Sequence, residues 1–446
     1  MNLTKQPYKG TRDFFPALMR ERNYLFHQMQ RTAESFSYEP YDGPLLEEVE
    51  LYLAKSGEEL INEQIYSFID RGERKVAIRP EMTPTLARMV AQIHREQSKP
   101  LRWYAIPNLM RYEKPQKGRL REHWQFNCDI FGAPAGQGEL EILQVAIQLF
   151  ENFGANQNHF EILVNDRRIV DAFFEKNLAL TKEKSYRLYK IIDKAKKVSP
   201  EALDKMLSEI LNTSDLKNTF LRYLNLKNLN DLEKFLNEQG LSQAGEELIQ
   251  LCRQCEAITS ASYIHYDPTI VRGLDYYTGL VFEIFDKNPE NRRALCGGGA
   301  YANLLQIFNE PALPGIGFGL GDVTLTDFLK THNLMPAFAK PEIDLLIGYL
   351  DPEAQKTAHQ LAKNLRQLQL KVEVFLGAEK VKKIFSQQER RGHKAVCLLG
   401  SQEIQTGKVE VKRSSPQSTA PSLDKNTKKV LSFQPFEKNE WKQLLE

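Results

Sequence analysis

The sequence predicts two joined folds: an α+β body on an antiparallel sheet, interrupted by a helical insertion, and then a smaller α/β domain. Three observations predict this. YSFID with KVAIRP, and RWYAIPNLMRYE with EHWQFNCDIFG, each read as two strands around a turn, which is the antiparallel hairpin pattern. Asp166 to about Ser260 is Leu- and Lys-rich and almost wholly helical in period. From Pro341, strands alternate with helices, as in an α/β domain of about 105 residues. The boundaries are residues 1–330 for the first body, with 166–260 inserted in it, a linker at 331–340, and 341–446 for the second domain.

Composition bounds what such a chain can be. Its 446 residues suit two to four domains, and 41% hydrophobic with 26% charged residues is enough apolar material for large cores. No apolar run approaches the roughly 18 residues of a membrane span, so no membrane is expected. The N-terminus MNLTKQPYKGTRDFF lacks the apolar core of a secretory signal, which leaves the cytoplasm as the expected compartment. Five scattered cysteines fit that compartment, and the C-x-x-C at Cys252 and Cys255 has no second pair with which to hold a metal. Net charge is only +2, but the chain from Pro341 carries 18 Lys and Arg against 13 Asp and Glu. That basic third is compatible with nucleic acid and equally with a solvated surface.

In order, KGTRDFFP is a polar entry ending at Pro16, and a helix follows to about Ser37 with Leu25, Met29 and Ala33 near one face, for core or dimer packing. Tyr41 to Glu47 and Glu63 to Arg79 read as extended, with a turn at Arg71-Gly72. Pro80 opens a helix through PEMTPTLARMVAQI, so Arg79, Glu81 and Thr83 cluster at a strand-to-helix junction. There they either cap the helix or meet a ligand. The next hairpin has a basic loop, KPQKGRLR; Arg111, Arg119 and Arg121 would project around it, while Gln125 and Asp129 share one side of its second strand. Guanidinium groups at that density suit phosphate, which they grip bidentately. Glu139 to Phe153 reads as a helix and His159 to Val164 as a strand.

After the insertion comes IVRGLDYYTGLVFEIF, Ile270 to Phe285, which packs Arg272, Asp275, Tyr276, Tyr277 and Glu283 into a run of strand-forming residues and from Thr278 on reads as a strand buried on most of both faces. Charges entering a buried strand must be paired or must meet a charged ligand. For Arg272 alone an internal salt bridge competes with a site; the whole cluster, beside glycines, favours a site. ALCGGGAYANLL and GIGFGLG follow as glycine-rich strands, where glycine lets a ligand or backbone approach closely. In the second domain, EIDLLIGYL, KVEVFL, AVCLLG and GKVEVKR read as strands, Pro352 to Gln369 and Glu379 to Arg391 as helices, and Ser414 to Thr427 as a mobile loop.

These stretches together resemble the histidyl-tRNA synthetases, a family of class II aminoacyl-tRNA synthetases, over nearly the whole length. IVRGLDYYTGLVFE is similar to the family's histidine signature, MRYEKPQKGRLREHWQF to class II motif 2, GPLLE to the end of motif 1 where the family dimerises, RPEMTPTLAR to its substrate-contacting segment, and LLGSQEIQTGKVEVK to the anticodon-binding domain. The resemblance implies a homodimeric ligase using ATP with Mg2+ to form histidyl-adenylate, then charging the histidine tRNA. It implies that Glu81, Thr83, Arg111, Gln125, Asp129, Arg272, Tyr276 and Tyr277 hold histidine, Asp129 and Tyr277 facing the imidazole, with Tyr301 closing the pocket. Arg111 would also grip the α-phosphate, Glu113 and His123 would meet the adenine, and Arg119 or Arg121 the outer phosphates. Arg272 would stabilise the charge that develops at the α-phosphorus, so Arg272 and Arg111 are the expected catalytic residues.

Three positions depart from the family pattern. Thr324 stands where motif 3 usually carries an arginine for the γ-phosphate, GGAYANL puts Ala300 and Ala302 where GGRYDGL is usual, and His123 replaces a phenylalanine. The missing cation should weaken ATP binding unless another arginine substitutes, Arg293 and Arg88 being the candidates. The competing functions are a catalytically silent regulatory subunit of histidine synthesis, or a tRNA-binding sensor. Residues 341–446 argue against the first, and Arg111 with Arg272 against the second.

Overall fold

The computed structural model describes residues 3–53, 63–259, 261–271, 276–338, 340–341, 343–377, 380–413 and 428–445. The expected loop at 414–427 and the residues Arg272 and Asp275 lie outside the described residues. The chain divides into two units, Met1–Pro336 and Ala337–Glu446.

In the first unit the strands are β1 Glu39–Pro40, β2 Leu46–Glu48, β3 Tyr66–Ile69, β4 Lys75–Ile78, β5 Leu101–Ala105, β6 Asn108–Met110, β7 Glu122–Phe131, β8 Phe160–Asp166, β9 Ile264–Tyr266, β10 Leu280–Asp286, β11 Cys296–Tyr301 and β12 Gly315–Gly321. Nine form one sheet, ordered β1-β5-β7-β12-β11-β10-β8-β9, with β6 extending β7. The six central strands are antiparallel, as expected; the outermost pairs, β1 with β5 and β8 with β9, are parallel. β2, β4 and β3 make a separate small sheet, its β3–β4 turn held by Asp70 accepting from the Gly72 and Arg74 N–H groups.

Register decides what each face of the large sheet presents, because side chains alternate along every strand. Phe282, Phe318 and Phe126 fall on one face, with Phe126 and Phe318 in edge contact at 5.7 Å. They pack with Leu25 and Met29 of helix Pro16–Ser35, Phe150 of Gln137–Asn152 and Phe328 of Asp322–Thr331 into the main core. Each such fully buried side chain contributes roughly 1.5–3 kcal/mol of transfer free energy. On the opposite face, Gly297 and Gly299 of β11 lie beside Gly319 and Gly317 of β12, which in turn lie beside Asn127 and Asp129 of β7. Four neighbouring positions therefore carry no side chain, and the sheet has a bare floor there. A methyl group on Gly317 would stand 2.6 Å from Asp129 Cγ, and one on Gly319 2.7 Å from Gln125 Cδ, so only glycine lets these two side chains lean across the sheet.

The insertion is as helical as its sequence predicts, and its starts are legible residue by residue. Asp166, Thr181, Ser199, Thr213 and Asn228 each accept a backbone N–H from the first turn of the helix they precede, a cap worth about 1 kcal/mol. Phe173, Phe174, Phe220, Tyr223 and Phe235 form its buried centre.

Two expected elements begin later than their sequences suggest. The helix expected from Pro80 begins at Thr83, with Pro84 in its first turn and Met82 making no side-chain cap. The strand of the signature begins at Leu280; before it, Thr278 N–H donates to Ala300 O. Its burial on both faces is as expected, with Leu280, Val281, Phe282 and Ile284 all buried.

In the second unit β13 Ile343–Tyr349, β14 Val372–Val374, β15 His393–Leu399, β16 Lys408–Arg413 and β17 Lys428–Ser432 form one sheet, ordered β14-β13-β15-β16-β17. The first three are mutually parallel, and β16 and β17 are antiparallel additions. Helices Gln355–Arg366 and Val381–Arg391 connect the parallel strands, the former burying Ala358, Leu361 and Leu365. Helix Lys438–Leu445, absent from the sequence reading, buries Trp441, whose Nε1 donates to Ser432 O at 2.9 Å.

Candidate active site

A cavity of about 690 Å3 opens over the glycine floor of the first unit. The sheet, the β6–β7 loop and helix Thr83–Ile93 bring to it eleven of the thirteen residues singled out from sequence: Glu81, Thr83, Arg111, Glu113, Arg119, His123, Gln125, Asp129, Tyr276, Tyr277 and Tyr301. Of the other two, Arg272 lies outside the described residues, although Val271 and Tyr276 on either side of 272–275 are buried and Tyr276 lines the cavity.

At one end the cavity is a buried polar pocket. Asp129 on β7 accepts a hydrogen bond from the hydroxyl of Tyr301, and both are buried. Burial pushes the Asp129 carboxyl up to about 7, with the Tyr301 hydroxyl bond acting in the opposite sense. Tyr301 is pushed well above the ordinary phenol range by burial and by the Asp129 charge. Tyr276 and Tyr277 stand with ring centroids 4.7 Å apart, and Tyr276 meets Tyr301 edge-on at 6.0 Å. Glu81 is buried beside Thr83, the first residue of its helix. A half-charged acceptor at the bottom of an aromatic pocket, with further carboxylates near its rim, suits a small ligand bearing a ring N–H and an ammonium group.

At the other end the cavity is cationic. Arg111 anchors through its Nε to Pro80 O at 2.8 Å, across the strand-to-helix junction. Arg119 is ion-paired with the buried Glu113 within the β6–β7 loop. Lys197 of the insertion and Arg292, Arg293 and Thr324 complete this end. His123 is pushed down to about 3, first by burial and then by the charges of Arg111, Arg12 and Arg119. Its ring is therefore neutral at pH 7 and presents an apolar face beside cations.

Arg121 does not line the cavity, which corrects the expectation that it would sit with Arg119. Its guanidinium lies 4.1 Å from the Tyr112 ring centroid, donates to Tyr8 Oη at 2.7 Å and through Nε to Glu113 O at 3.1 Å. Stacking and two hydrogen bonds give it a structural position under the loop. The partner that holds it is the N-terminal entry, which sequence reading left without a role. Gly10 O accepts from Arg121 N–H and Glu122 N–H, while Arg12 pairs at 2.8 Å with Asp322, a buried carboxylate that also accepts from Trp124 N–H. An aspartate starting a helix directly after a glycine strand is the signal that could have flagged Asp322. Arg88, a candidate substitute cation, pairs instead with Glu47 at 2.8 Å in a separate groove of about 850 Å3, lined by Leu46, Phe68 and Phe308.

Comparisons with known proteins agree with this geometry. A family model described as histidyl-tRNA synthetase matches residues 10–323, and one described as an anticodon binding domain matches residues 344–432. The histidine–tRNA ligase of Leptospira biflexa is 44% identical over 413 residues, covering 92% of this chain and 93% of the relative. The chloroplastic and mitochondrial histidine–tRNA ligase of Arabidopsis thaliana is 36% identical over 406 residues, 91% of this chain and 82% of the relative. Among solved structures, the histidyl-tRNA synthetase of Nostoc shares the fold with a TM-score of 0.79 at 20% identity, over the full length of both chains. A Bacillus halodurans protein titled ATP phosphoribosyltransferase regulatory subunit/histidyl-tRNA synthetase shares it at 0.74 and 19% identity, over 90% of this chain and 100% of that one. With a family model matched across more than half its length and relatives this similar over nine-tenths of it, the chain belongs to the histidyl-tRNA synthetase family.

Proposed function

We propose that this chain is an ATP-dependent ligase that activates histidine as histidyl-adenylate and transfers it to the 3′ end of the histidine tRNA. The observation that carries the reading is the pairing, in one cavity, of a buried Asp129–Tyr301 acceptor with an arginine-lined end. Histidine would lie with its imidazole N–H donating to Asp129 beside Tyr277, its ammonium towards Glu81, Thr83 and Gln125, and its carboxylate towards Arg111. Tyr276 packs against Tyr301 and shapes the pocket wall. The neutral ring of His123 would stack on the adenine with Glu113 close by, and Arg119 would meet the phosphates.

The chemistry then needs positioning and positive charge more than a nucleophile on the protein. A carboxylate oxygen of histidine attacks the α-phosphorus, the bond from that phosphorus to the β-phosphate bridge breaks, and pyrophosphate leaves. Arg111 spans carboxylate and α-phosphate, and Arg272 is assigned the charge that develops there. In the second step a hydroxyl of the terminal ribose attacks the histidyl carbonyl and AMP departs. Mg2+ would arrive with the ATP, coordinated chiefly by phosphate oxygens and water, as suits an ion that needs only one or two protein carboxylates. Among the described residues no cluster of three or more His, Cys, Asp or Glu side chains could cage a metal.

Residues 1–330 form the catalytic domain in this reading, with 166–260 its insertion. Residues 341–446 bind the anticodon, where Lys408, Lys412, Lys428 and Lys429 give the β16–β17 pair a basic character. The exposed Leu45, Leu46, Phe68 and Ile69, near the GPLLE segment, make this face the place of a homodimer contact. The setting is the cytoplasm; among the described residues no helix is long and apolar enough to cross a membrane.

The test is exchange of pyrophosphate into ATP with each of the twenty amino acids. Exchange with histidine alone is the expected result. Absence of exchange while histidine still binds would overturn the ligase and leave a regulatory or sensing role.

A further inference from the structure

We propose that Arg293 supplies the cation for the outer phosphates of ATP, in the place that Thr324 leaves without one. The inference rests on the reading of the cavity as an ATP site. Arg293 belongs to the loop between β10 and β11, which is held at several points. Asp286 accepts from Asn288 N–H and Asn291 Nδ2, both at 2.7 Å, and Asn291 Nδ2 also reaches Thr331 Oγ1 at 3.0 Å. At the far end of the loop, Leu295 N–H donates to Ile284 O at 2.8 Å.

Three segments converge at one point on the cavity wall. A methyl group built on Gly118, in the β6–β7 loop, would stand 3.1 Å from Arg293 Cδ and 3.5 Å from Thr324 Cγ2. Arg293 and Thr324 thus flank the same spot from opposite elements, one residue away from Arg119. Thr324 brings no charge to the cavity; its hydroxyl proton is shared between Leu295 O, two residues beyond Arg293, and Gly321 O of its own turn, both at 3.2 Å. The residue at 324 therefore lies against the loop that brings the arginine.

Arg293 is available for this work. It is half-buried in the cavity lining, and among the described residues its guanidinium makes no ion pair or hydrogen bond, whereas Arg88 pairs with Glu47 in another groove. A terminal phosphate carries about 1.5 to 2 negative charges at pH 7, and a planar guanidinium grips such a group through two parallel N–H donors.

The experiment compares wild type, Arg293→Ala and Arg293→Lys in histidine-dependent pyrophosphate exchange and in direct binding of ATP and AMP. Arg293→Ala is expected to raise the KM for ATP at least tenfold, with the KM for histidine and the affinity for AMP unchanged within twofold. Arg293→Lys, which keeps the charge without the fork, is expected to fall between. Unchanged ATP affinity in Arg293→Ala would overturn the inference, as would equal losses for ATP and AMP, which would mean general damage to the site. Wild type that fails to exchange with histidine would sink the ligase reading itself. Wild type that exchanges beside an unaffected Arg293→Ala would sink only the role of Arg293.

Discussion

Asp129→Asn separates two demands made on the floor of the cavity. The wild-type carboxyl is fully buried, and burial lifts its pKa from 3.8 to about 7. The folded protein then binds more protons than the unfolded chain between those values, so stability falls as pH rises through the window from about 4 to about 7 and levels off above it. Integrating that shift gives a penalty of about 2 kcal/mol at pH 5 and about 4 kcal/mol at pH 8. Asparagine removes the titration and keeps an oxygen to accept the Tyr301 hydroxyl. Its new amide N–H adds a cost of about 1–3 kcal/mol where unsatisfied, the same at every pH. The variant's stability relative to wild type should therefore improve by roughly 2 to 3 kcal/mol between pH 5 and pH 8. Urea unfolding followed by tryptophan emission reads this, since Trp103 and Trp124 both belong to the first unit. Histidine affinity should move the other way, by roughly 10- to 150-fold for a lost charge-assisted hydrogen bond, with ATP affinity unchanged. A stability difference that does not depend on pH would refute the buried titration, and equal losses for histidine and ATP would refute the imidazole contact.

Three further variants test separate parts of the argument. Arg272→Ala should lower the rate of adenylate formation by roughly 10²–10³-fold, the scale of removing one preorganised donor, with an unchanged circular dichroism spectrum; near-normal single-turnover rates would remove Arg272 from the mechanism. Gly317→Ala would set a methyl 2.6 Å from Asp129 Cγ and 2.8 Å from Cys128 O, so a loss of about 1–3 kcal/mol of stability and a raised KM for histidine are expected; wild-type values of both would mean that the floor need not be bare. Arg12→Ala leaves the buried Asp322 without its 2.8 Å partner and should cost about 1–3 kcal/mol; thermal unfolding of the Arg12→Ala/Asp322→Asn pair should recover most of it, and failure to recover would show that Arg12 acts instead through its guanidinium, which lies over the Phe14 ring at 5.0 Å and the Trp124 ring at 5.8 Å.

What the sequence revealed and what it hid divide along physical lines. The helical insertion was legible because its Leu- and Lys-rich period is a local signal. The caps at Thr181, Ser199, Thr213 and Asn228, which act within three residues of themselves, are equally local, although the period alone carries the sequence reading. The cavity-lining side of β7 was legible because alternation along a strand puts Gln125, Asn127 and Asp129 on one face whatever lies across from them. The glycine strands were visible, but their purpose was not: that Gly317 faces Asp129 is a fact of register between strands far apart in sequence. Arg121 misled because a basic loop speaks of phosphate, while the structure supplies Tyr8 from a hundred residues away to stack and bond it. Helix Lys438–Leu445 was missed because eight residues cannot announce a helix by propensity; packing of Trp441 against the β17 end makes it one.

The two ends of the cavity are built to different tolerances, and this explains which of them varies from the family pattern. In the proposed reading, discriminating histidine from other amino acids rests on a hydrogen bond to a ring N–H, which weakens steeply with small errors of distance and angle. Its acceptor accordingly sits within a ten-residue strand, bonded by Tyr301 and leaning over Gly317. Holding the outer phosphates rests on charge, whose attraction falls only as the inverse of distance and is met by a cation approaching from several directions. That work is given to loops: Arg119 from one, Arg293 from another. A guanidinium lost from position 324 can then be supplied at 293 without disturbing the sheet, provided that something holds the second loop in place, and the Asn291–Asp286 bond with Leu295 N–H donating to Ile284 O does so. No such exchange is open at Asp129, because the position directly across from it, Gly317, is a glycine whose replacement would collide with it.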